Sequence, residues 1–352
     1  MKITIVVGTR PQIIKSQPLI KELLSRKVKV SIVHTGQHYD FQMSKAFFNE
    51  MKIKNPDYNL GINQGSPSKQ LAQIISKLEK PLKKFKPNVV IVPGDTRSAL
   101  GAALCATRLG FKTAHLEAGA RSNDFAMEEE INRRIIDHCS HLLFAPTKNC
   151  YKNLKQESVL GKQYFTGDTM YDVFLEYKKL LKQKKPVQSN FVLMTVHRKN
   201  NIENYSKIKN ILQLAKKIEN YGLDVIFPMH PHTKKQIKSF GLSLKGSHII
   251  KPVKYSKMLQ LLHDSNLLIT DSGGLQKEAF WLNIPCITLR ENTEWIETLE
   301  GKCNVLLRNV SNSSFNLVKK TMSRKYLWNN NSIAAKFGNG KASKNIASIL
   351  LD

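Results

Sequence analysis

Acidic residues are scarce in this 352-residue chain: 27 Asp and Glu stand against 55 Lys and Arg, a formal charge of +28. Such a bias points to an anionic partner: nucleic acid, a charged membrane surface or an anionic small molecule. Long apolar runs are missing too. No stretch approaches the ~18 residues of a membrane span, so no membrane insertion is expected. The opening MKITIVVGTRP is interrupted too soon for a secretion signal. Five cysteines (Cys105, Cys139, Cys150, Cys286, Cys303) form no CxxC pair or metal-type cluster. That excludes a disulfide framework and fits buried thiols in a reducing cytoplasm. Zinc-finger spacing, an RNP-type aromatic motif and a basic tail are all absent, so nucleic acid is not the expected partner. The lysines run through KLEKPLKKFK, EYKKLLKQKK, LAKKIEN and HTKKQIKSF, mostly at helical surface spacing. They read as solvated faces that also tune the field toward phosphates.

What is present alternates. KITIVVG, VKVSIVHTG, NVVIVPGD, KTAHLEAG, HLLFAPT and QYFTGD read as buried strands. Helical patterns intervene: Pro11 to about Leu24, QLAQIISKLEKPLKKF, SALGAALCATRLG and EINRRIIDHCS. After the charged connector EYKKLLKQKKPVQSN the alternation restarts with FVLMTVH, DVIFPMH, HIIKP, NLLITDSGG and PCITLRE. The expected fold is α/β, two doubly wound Rossmann-like domains with parallel sheets. Ligands of such folds bind outside the carboxyl ends of the strands, and the polar motifs fall there.

GTRPQIIK places Arg10 where helix-start N–H groups point outward, a site for an anion, with Lys15 one turn further on. PGDTRSAL puts Asp95 at one strand tip, and HLEAGARS puts Glu117 at the next. AMEEEINRR, the only run of adjacent acids in the chain, adds Glu130. One reading is helix-start acids suited to the dipole, with Glu130 paired to Arg133 or Arg134. The other is an acidic cluster whose members shift one another's pKa for proton transfer. TVHRKNN places His197 and Arg198 at a strand end, and FPMHPHT adds His230 and His232 in a spacing that matches no standard zinc site. ITDSGGLQKEA is the strongest single motif. A buried strand ends in Asp271, and the N–H groups of Ser272, Gly273 and Gly274 open a helix as a diphosphate cradle. Glu278 lies one turn on, placed for ribose hydroxyls. The motif is neither a P-loop nor GxGxxG.

Together these motifs resemble the non-hydrolysing UDP-N-acetylglucosamine 2-epimerases. The likeness runs nearly end to end: GTRPQIIK, HTGQHYD with MSKAFF, GDT, HLEAGARS, EEINR, FAPT, TGDTMYD, TVHR, MHPHT, TDSGGLQKEA, RENTEW and FGNGKAS. The resemblance implies a GT-B arrangement facing across a cleft. Residues 1–170 with a returning helix at 338–352 would form one domain, and 171–337 the UDP-binding one. It implies inversion at carbon 2 of a UDP-sugar by loss of UDP to a glycal and its re-addition, with no cofactor and no metal. Asp95, Glu117, Glu130 and His197 take the catalytic positions. Arg10, Lys15, Arg133, His230, Ser272, Gly273, Gly274 and Glu278 take the substrate-binding ones. Glu128 falls where the family commonly has proline, which leaves it a helix-start acid. The expected partners are the UDP-sugar and a second copy in a homodimer.

The chain also departs from the common pattern. It reads RPQ at Gln12, QKEA at Lys277 and TEWIE at Trp295, where typical members read RPE, QEEA and TERPE. The combination is similar to the subgroup acting on UDP-2,3-diacetamido-2,3-dideoxy-glucuronate, and Lys277 suits the extra negative charge of that sugar. The GQHYD stretch differs from that of the allosteric members. A GT-B glycosyltransferase, a hydrolysing epimerase and a basic binding module stay open as alternatives.

Overall fold

The computed structural model describes residues 1–37, 48–182, 190–243, 248–324 and 330–352. The HTGQHYD motif from His38 onward, MSKAFF apart from Phe48, and 183–189 of the connector lie outside the described residues. The chain divides into two compact units, 1–176 with 330–352, and 177–329.

The first unit is built on seven strands: β1 (Lys2–Val7), β2 (Lys29–His34), β3 (Tyr58–Asn59), β4 (Val89–Pro93), β5 (Lys112–Leu116), β6 (Leu142–Ala145) and β7 (Lys162–Phe165). Their order is β3-β2-β1-β4-β5-β6-β7, every pairing parallel. The sheet is near-continuously apolar because helices cover both faces. One face carries the core of Val6, Val33, Val90 and Val92 against Ile74, Leu78, Leu82 and the small residues Ala99, Ala102, Ala103 and Ala106. Small residues let helix Arg97–Arg108 approach closely, which is why SALGAALCA reads as it does. Gly101 is one such point: a Cβ there would meet Ile74 Cγ2 at 2.6 Å.

The second unit has six parallel strands: β8 (Phe191–Thr195), β9 (Asp224–Pro228), β10 (His248–Ile250), β11 (Leu267–Thr270), β12 (Cys286–Thr288) and β13 (Asn304–Leu306). Their order, β10-β9-β8-β11-β12-β13, repeats the logic of the first sheet. Two clusters fill it, one around Val192, Met194, Phe227 and Ile269, the other around Leu193, Leu262, Leu268 and Ala279. Both sheets reverse direction of winding beside their first strand, between β1 and β4 and between β8 and β11. Each unit is a Rossmann-like α/β fold with its ligand-binding crevice expected at that switch point.

Residues 330–352 return to the first unit as helices Asn330–Phe337 and Ala342–Leu351. Asp168 N bonds Phe337 O at 2.8 Å. The Asp172 carboxylate receives Ala342 N (3.1 Å), Ser343 N (2.8 Å) and Ser343 Oγ (2.7 Å), and so caps the last helix from another segment. Burial raises the Asp172 pKa despite these donors. Among the described residues no helix is long and apolar enough to cross a membrane.

Candidate active site

At the first switch point β1 ends in Gly8, where a Cβ would lie 2.0 Å from Ser98 Oγ. Helix Arg10–Ser25 then starts with Thr9 extended and Pro11 in its first turn. Gln12 is the residue that ties this turn to its neighbour. Its Oε1 accepts Gly8 N (2.8 Å) and Thr9 N (3.1 Å), and its Nε2 donates to Pro93 O (2.7 Å) at the end of β4. Arg10 sits half-buried at the helix start.

Asp95 and Glu117 occupy the tips of β4 and β5, as the motifs suggested. Each also has a base beside it, which the motifs did not disclose. Lys15, expected to hold the diphosphate, places Nζ 2.8 Å from Glu117 Oε1, with both side chains largely enclosed. Glu117 holds a left-handed backbone, φ +80°, that a side chain adopts at a cost of about 1–3 kcal/mol. Arg133, also expected to bind substrate, is 1% exposed and donates to Asp95 Oδ2 (2.5 Å) and Glu130 Oε2 (2.8 Å).

Helix Glu128–Cys139 gathers acids in its first turn, and the enclosed Glu130 side chain pairs with both Arg133 and Arg134, as one reading of the sequence expected. Ser122 N (2.8 Å), Ser122 Oγ (2.9 Å), Arg133 (2.8 Å) and Arg134 (3.0 Å) all donate to it. Desolvation pushes its pKa up, but the Ser122 amide and the two guanidiniums win and hold it below the usual range. A carboxylate so saturated is a fixed anion, suited to holding Arg133 against Asp95. Glu128, by contrast, is exposed and pairs with Arg97 at 2.7 Å.

Beneath these groups lies a buried pair that the motifs did not disclose. His115 on β5 joins Asp137 at 2.6 Å through Nδ1 and Gly94 O at 2.9 Å through Nε2. Asp137 also accepts Gly119 N (3.0 Å) and Arg121 (2.8 Å), and Arg121 continues to Glu157 and thence to Arg134. The pair thus ties down Gly94, just before Asp95, and Gly119, just after Glu117.

At the second switch point Asp271 is fully buried and draws the loop after β8 around it. It accepts His197 N (3.1 Å), Arg198 N (2.9 Å), Asn201 Nδ2 (3.0 Å) and the His197 ring at Nδ1 (3.0 Å). Burial raises its pKa, but His197 and the amides pull it down to about 2. Sequence reasoning noted this acid at a strand end without giving it a task. The signal was there: an acid closing a buried strand whose neighbour ends in TVH. His230 Nδ1 accepts His232 N at 3.2 Å. Its pKa is lowered by partial desolvation, then by His197 and His232, so the three rings share one region.

Helix Gly273–Trp281 opens with Ser272 as its cap, Oγ accepting Leu275 N at 3.4 Å. The three-amide cradle needs one correction. Ser272 N is committed to Thr270 Oγ1 at 3.0 Å, so the amides of Gly273 and Gly274, first in the helix, are the ones left for an anion. Gly273 has no room for a side chain: its Cβ would lie 2.7 Å from Glu294 Oε1 and 3.3 Å from Trp295 Nε1. Glu278 is buried one turn on. Lys277 is buried too, its Nζ 3.7 Å from the Trp295 ring centroid, a cation–π contact.

The profile of the UDP-N-acetylglucosamine 2-epimerase family matches residues 21–351. The UDP-N-acetylglucosamine 2-epimerase of Methanococcus maripaludis is 40% identical over 365 residues, 99% of this chain and 98% of its own. The UDP-2,3-diacetamido-2,3-dideoxy-D-glucuronate 2-epimerase of Pseudomonas aeruginosa is 39% identical over 315 residues, 87% of this chain and 88% of its own. The crystal structure of Methanocaldococcus jannaschii UDP-GlcNAc 2-epimerase in complex with UDP-GlcNAc and UDP superposes with a TM-score of 0.92. It is 40% identical, over 100% of this chain and 99% of that one. The likeness covers nearly the whole chain, and the chain is therefore an enzyme of the UDP-N-acetylglucosamine 2-epimerase family.

Proposed function

We propose that the chain is a non-hydrolysing 2-epimerase that interconverts UDP-GlcNAc and UDP-ManNAc. The observation that carries this is the pairing of two differently equipped switch points. One has strand-tip carboxylates, Asp95 and Glu117, each beside a base. The other has a helix start with His197 beside it. The proton on carbon 2 is not adjacent to a carbonyl, so simple abstraction is prohibitive. Departure of UDP from carbon 1 as that proton leaves gives a neutral glycal. The electron pair of the C1–O bond goes to the diphosphate oxygen. Protonation of carbon 2 from the opposite face, with return of UDP to carbon 1, completes inversion.

In this reading Asp95 and Glu117 exchange the protons, and Lys15 and Arg133 hold them in place. Glu130 serves the reaction by fixing Arg133. Arg10, His197, His230 and the amides of Gly273 and Gly274 stabilise the departing diphosphate, and Glu278 faces the ribose. The domain roles, 1–170 with 338–352 and 171–337, belong to the same proposal. So do the GT-B cleft between them and the homodimer. The cytoplasm is the proposed compartment. The reaction moves a proton and a leaving group and calls for no cofactor.

A second reading takes the 2,3-diacetamido-glucuronate sugar nucleotide as substrate. The buried Lys277 beside Trp295 and the Pseudomonas aeruginosa relative favour it. One experiment tests both: incubate each sugar nucleotide separately in deuterated buffer and follow the manno product by proton NMR. Deuterium at carbon 2 of the product is expected. Retention of the original hydrogen there would overturn the elimination route, and the better substrate decides between the sugars.

A further inference from the structure

We propose that Asp271 is a positioning residue that acts through His197: it fixes the ring tautomer and favours the imidazolium form, so that a charged Nε2–H meets the departing diphosphate. The inference rests on the function proposed above for its catalytic arm. Its electrostatic arm stands on the second unit alone.

The geometry is specific. Asp271 closes β11, and the loop that carries His197 follows β8, the adjacent strand, with Thr195 and Thr270 in register and their hydroxyls 2.6 Å apart. Three amide donors, His197 N, Arg198 N and Asn201 Nδ2, converge on the carboxylate, and Asn201 Nδ2 also reaches Leu289 O at 3.1 Å. These contacts pin the loop. The fourth donor is the His197 ring, through Nδ1 at 3.0 Å. The amides are neutral, so among these donors the ring is the one able to answer the buried charge. An acid enclosed to this degree and carrying amide donors stays ionised. The ring itself is about half exposed, 49%, and Nδ1 is the nitrogen that faces Asp271.

Other charges lie near the ring as well. His230, the residue that opens the helix after β9, repels a charge on it, and Arg198 is adjacent in sequence. Asp271 is the acid set against them. Without it, the imidazole would lose both its tautomer and its compensating charge beside other bases. During elimination the C1–O electron pair moves onto the diphosphate oxygen, and the imidazolium donates a hydrogen bond to that growing charge. No proton need be lost to His197 for the reaction to reverse.

The test uses the full chain and Asp271→Asn, which keeps the shape but turns part of the acceptor into a donor. The His197 ring, assigned by its loss in His197→Ala, is titrated by NMR in wild type and variant. We expect the midpoint to fall by at least about one unit, which is a tenfold change in the protonation equilibrium. Turnover should fall ~100-fold, the scale of a lost acid–base contribution, with UDP affinity changed less than about threefold. In a His197→Ala background the same change should cost less than about threefold, because coupled residues are not additive. An unmoved titration, or losses that multiply in the double variant, overturns the proposal. Should Asp271→Asn not fold, nitrogen-15 NMR of wild type decides: Nδ1 must carry the proton in the neutral ring, and an Nε2–H tautomer refutes the proposal. If wild type turns over neither sugar nucleotide, the functional reading fails, while the titration still judges the Asp271–His197 pair.

Discussion

Glu130→Gln is expected to destabilise the first unit by about 3 kcal/mol, the lower end for removing one partner of a buried ion pair. The size follows from its surroundings. The carboxylate is fully enclosed and takes four donors, two of them guanidiniums. Glutamine keeps one acceptor oxygen for Ser122 but turns an N–H₂ group toward Arg133 or Arg134. Arg133, 1% exposed, cannot recover by hydration, whereas Arg134, 26% exposed, partly can. Glu128→Gln loses only a surface pair with Arg97, worth about 0–1 kcal/mol. The sign of the pH dependence is fixed as well. The Glu130 pKa is lowered on folding, so its stabilisation is complete above the unfolded value of about 4.3 and fades as pH falls through the folded one. The gap between wild type and Glu130→Gln should therefore close in acid. All three tryptophans, Trp281, Trp295 and Trp328, fall within the span of the second unit, 177–329, so tryptophan fluorescence is the wrong probe. Hydrogen exchange of peptides spanning 128–139, followed across pH, reads the right region. Equal protection in Glu130→Gln and Glu128→Gln at neutral pH would refute the reasoning.

Two further outcomes are expected. Lys15→Met should lower turnover by ~100-fold or more while leaving UDP binding within about threefold, because its ammonium sits on Glu117 and not on the diphosphate amides; a loss of UDP affinity alone would return Lys15 to the anion site. Gly273→Ala should weaken UDP binding at least about tenfold, since the added methyl must displace Glu294 or Trp295 beside the helix start; calorimetry showing wild-type affinity would remove these amides from the site.

Much of this was legible before any coordinates. Strand–helix alternation declared both sheets because strands covered on both faces must be apolar throughout. Glycines and charges then clustered at strand ends, where the crevices lie. The gaps have a common cause. β13 is three residues long and exists through its pairing with β12, which no periodicity announces. Residue types at the first switch point were readable, but partners were not: Lys15 and Glu117 are 102 positions apart. The acid-rich run was different: its local pair of Glu130 with Arg133 or Arg134 could be read from i+3 and i+4 spacing, and folding forms both. Asp271 escaped for the reason that Lys15 did, since its donors come from a neighbouring strand 74 positions upstream. Lys277 was legible as a charge, but the two indole rings beside its ammonium, Trp281 and Trp295, were not.

The return of residues 330–352 to the first unit has a bearing on how the chain is made. Helix Ala342–Leu351 packs beside helix Arg10–Ser25, with Arg26 reaching Ser348 Oγ at 3.0 Å, and is capped by Asp172. On the ribosome, the unit that emerges first is thus completed last. The second unit, continuous from 177 to 329, has all its strands available while the first still lacks the helix that covers its flank. During that interval Ile346, Ala347 and Leu350, each buried at the end, leave their binding surface open to chaperones. A premature stop anywhere after residue 329 would strike the oldest part of the chain and spare the newest.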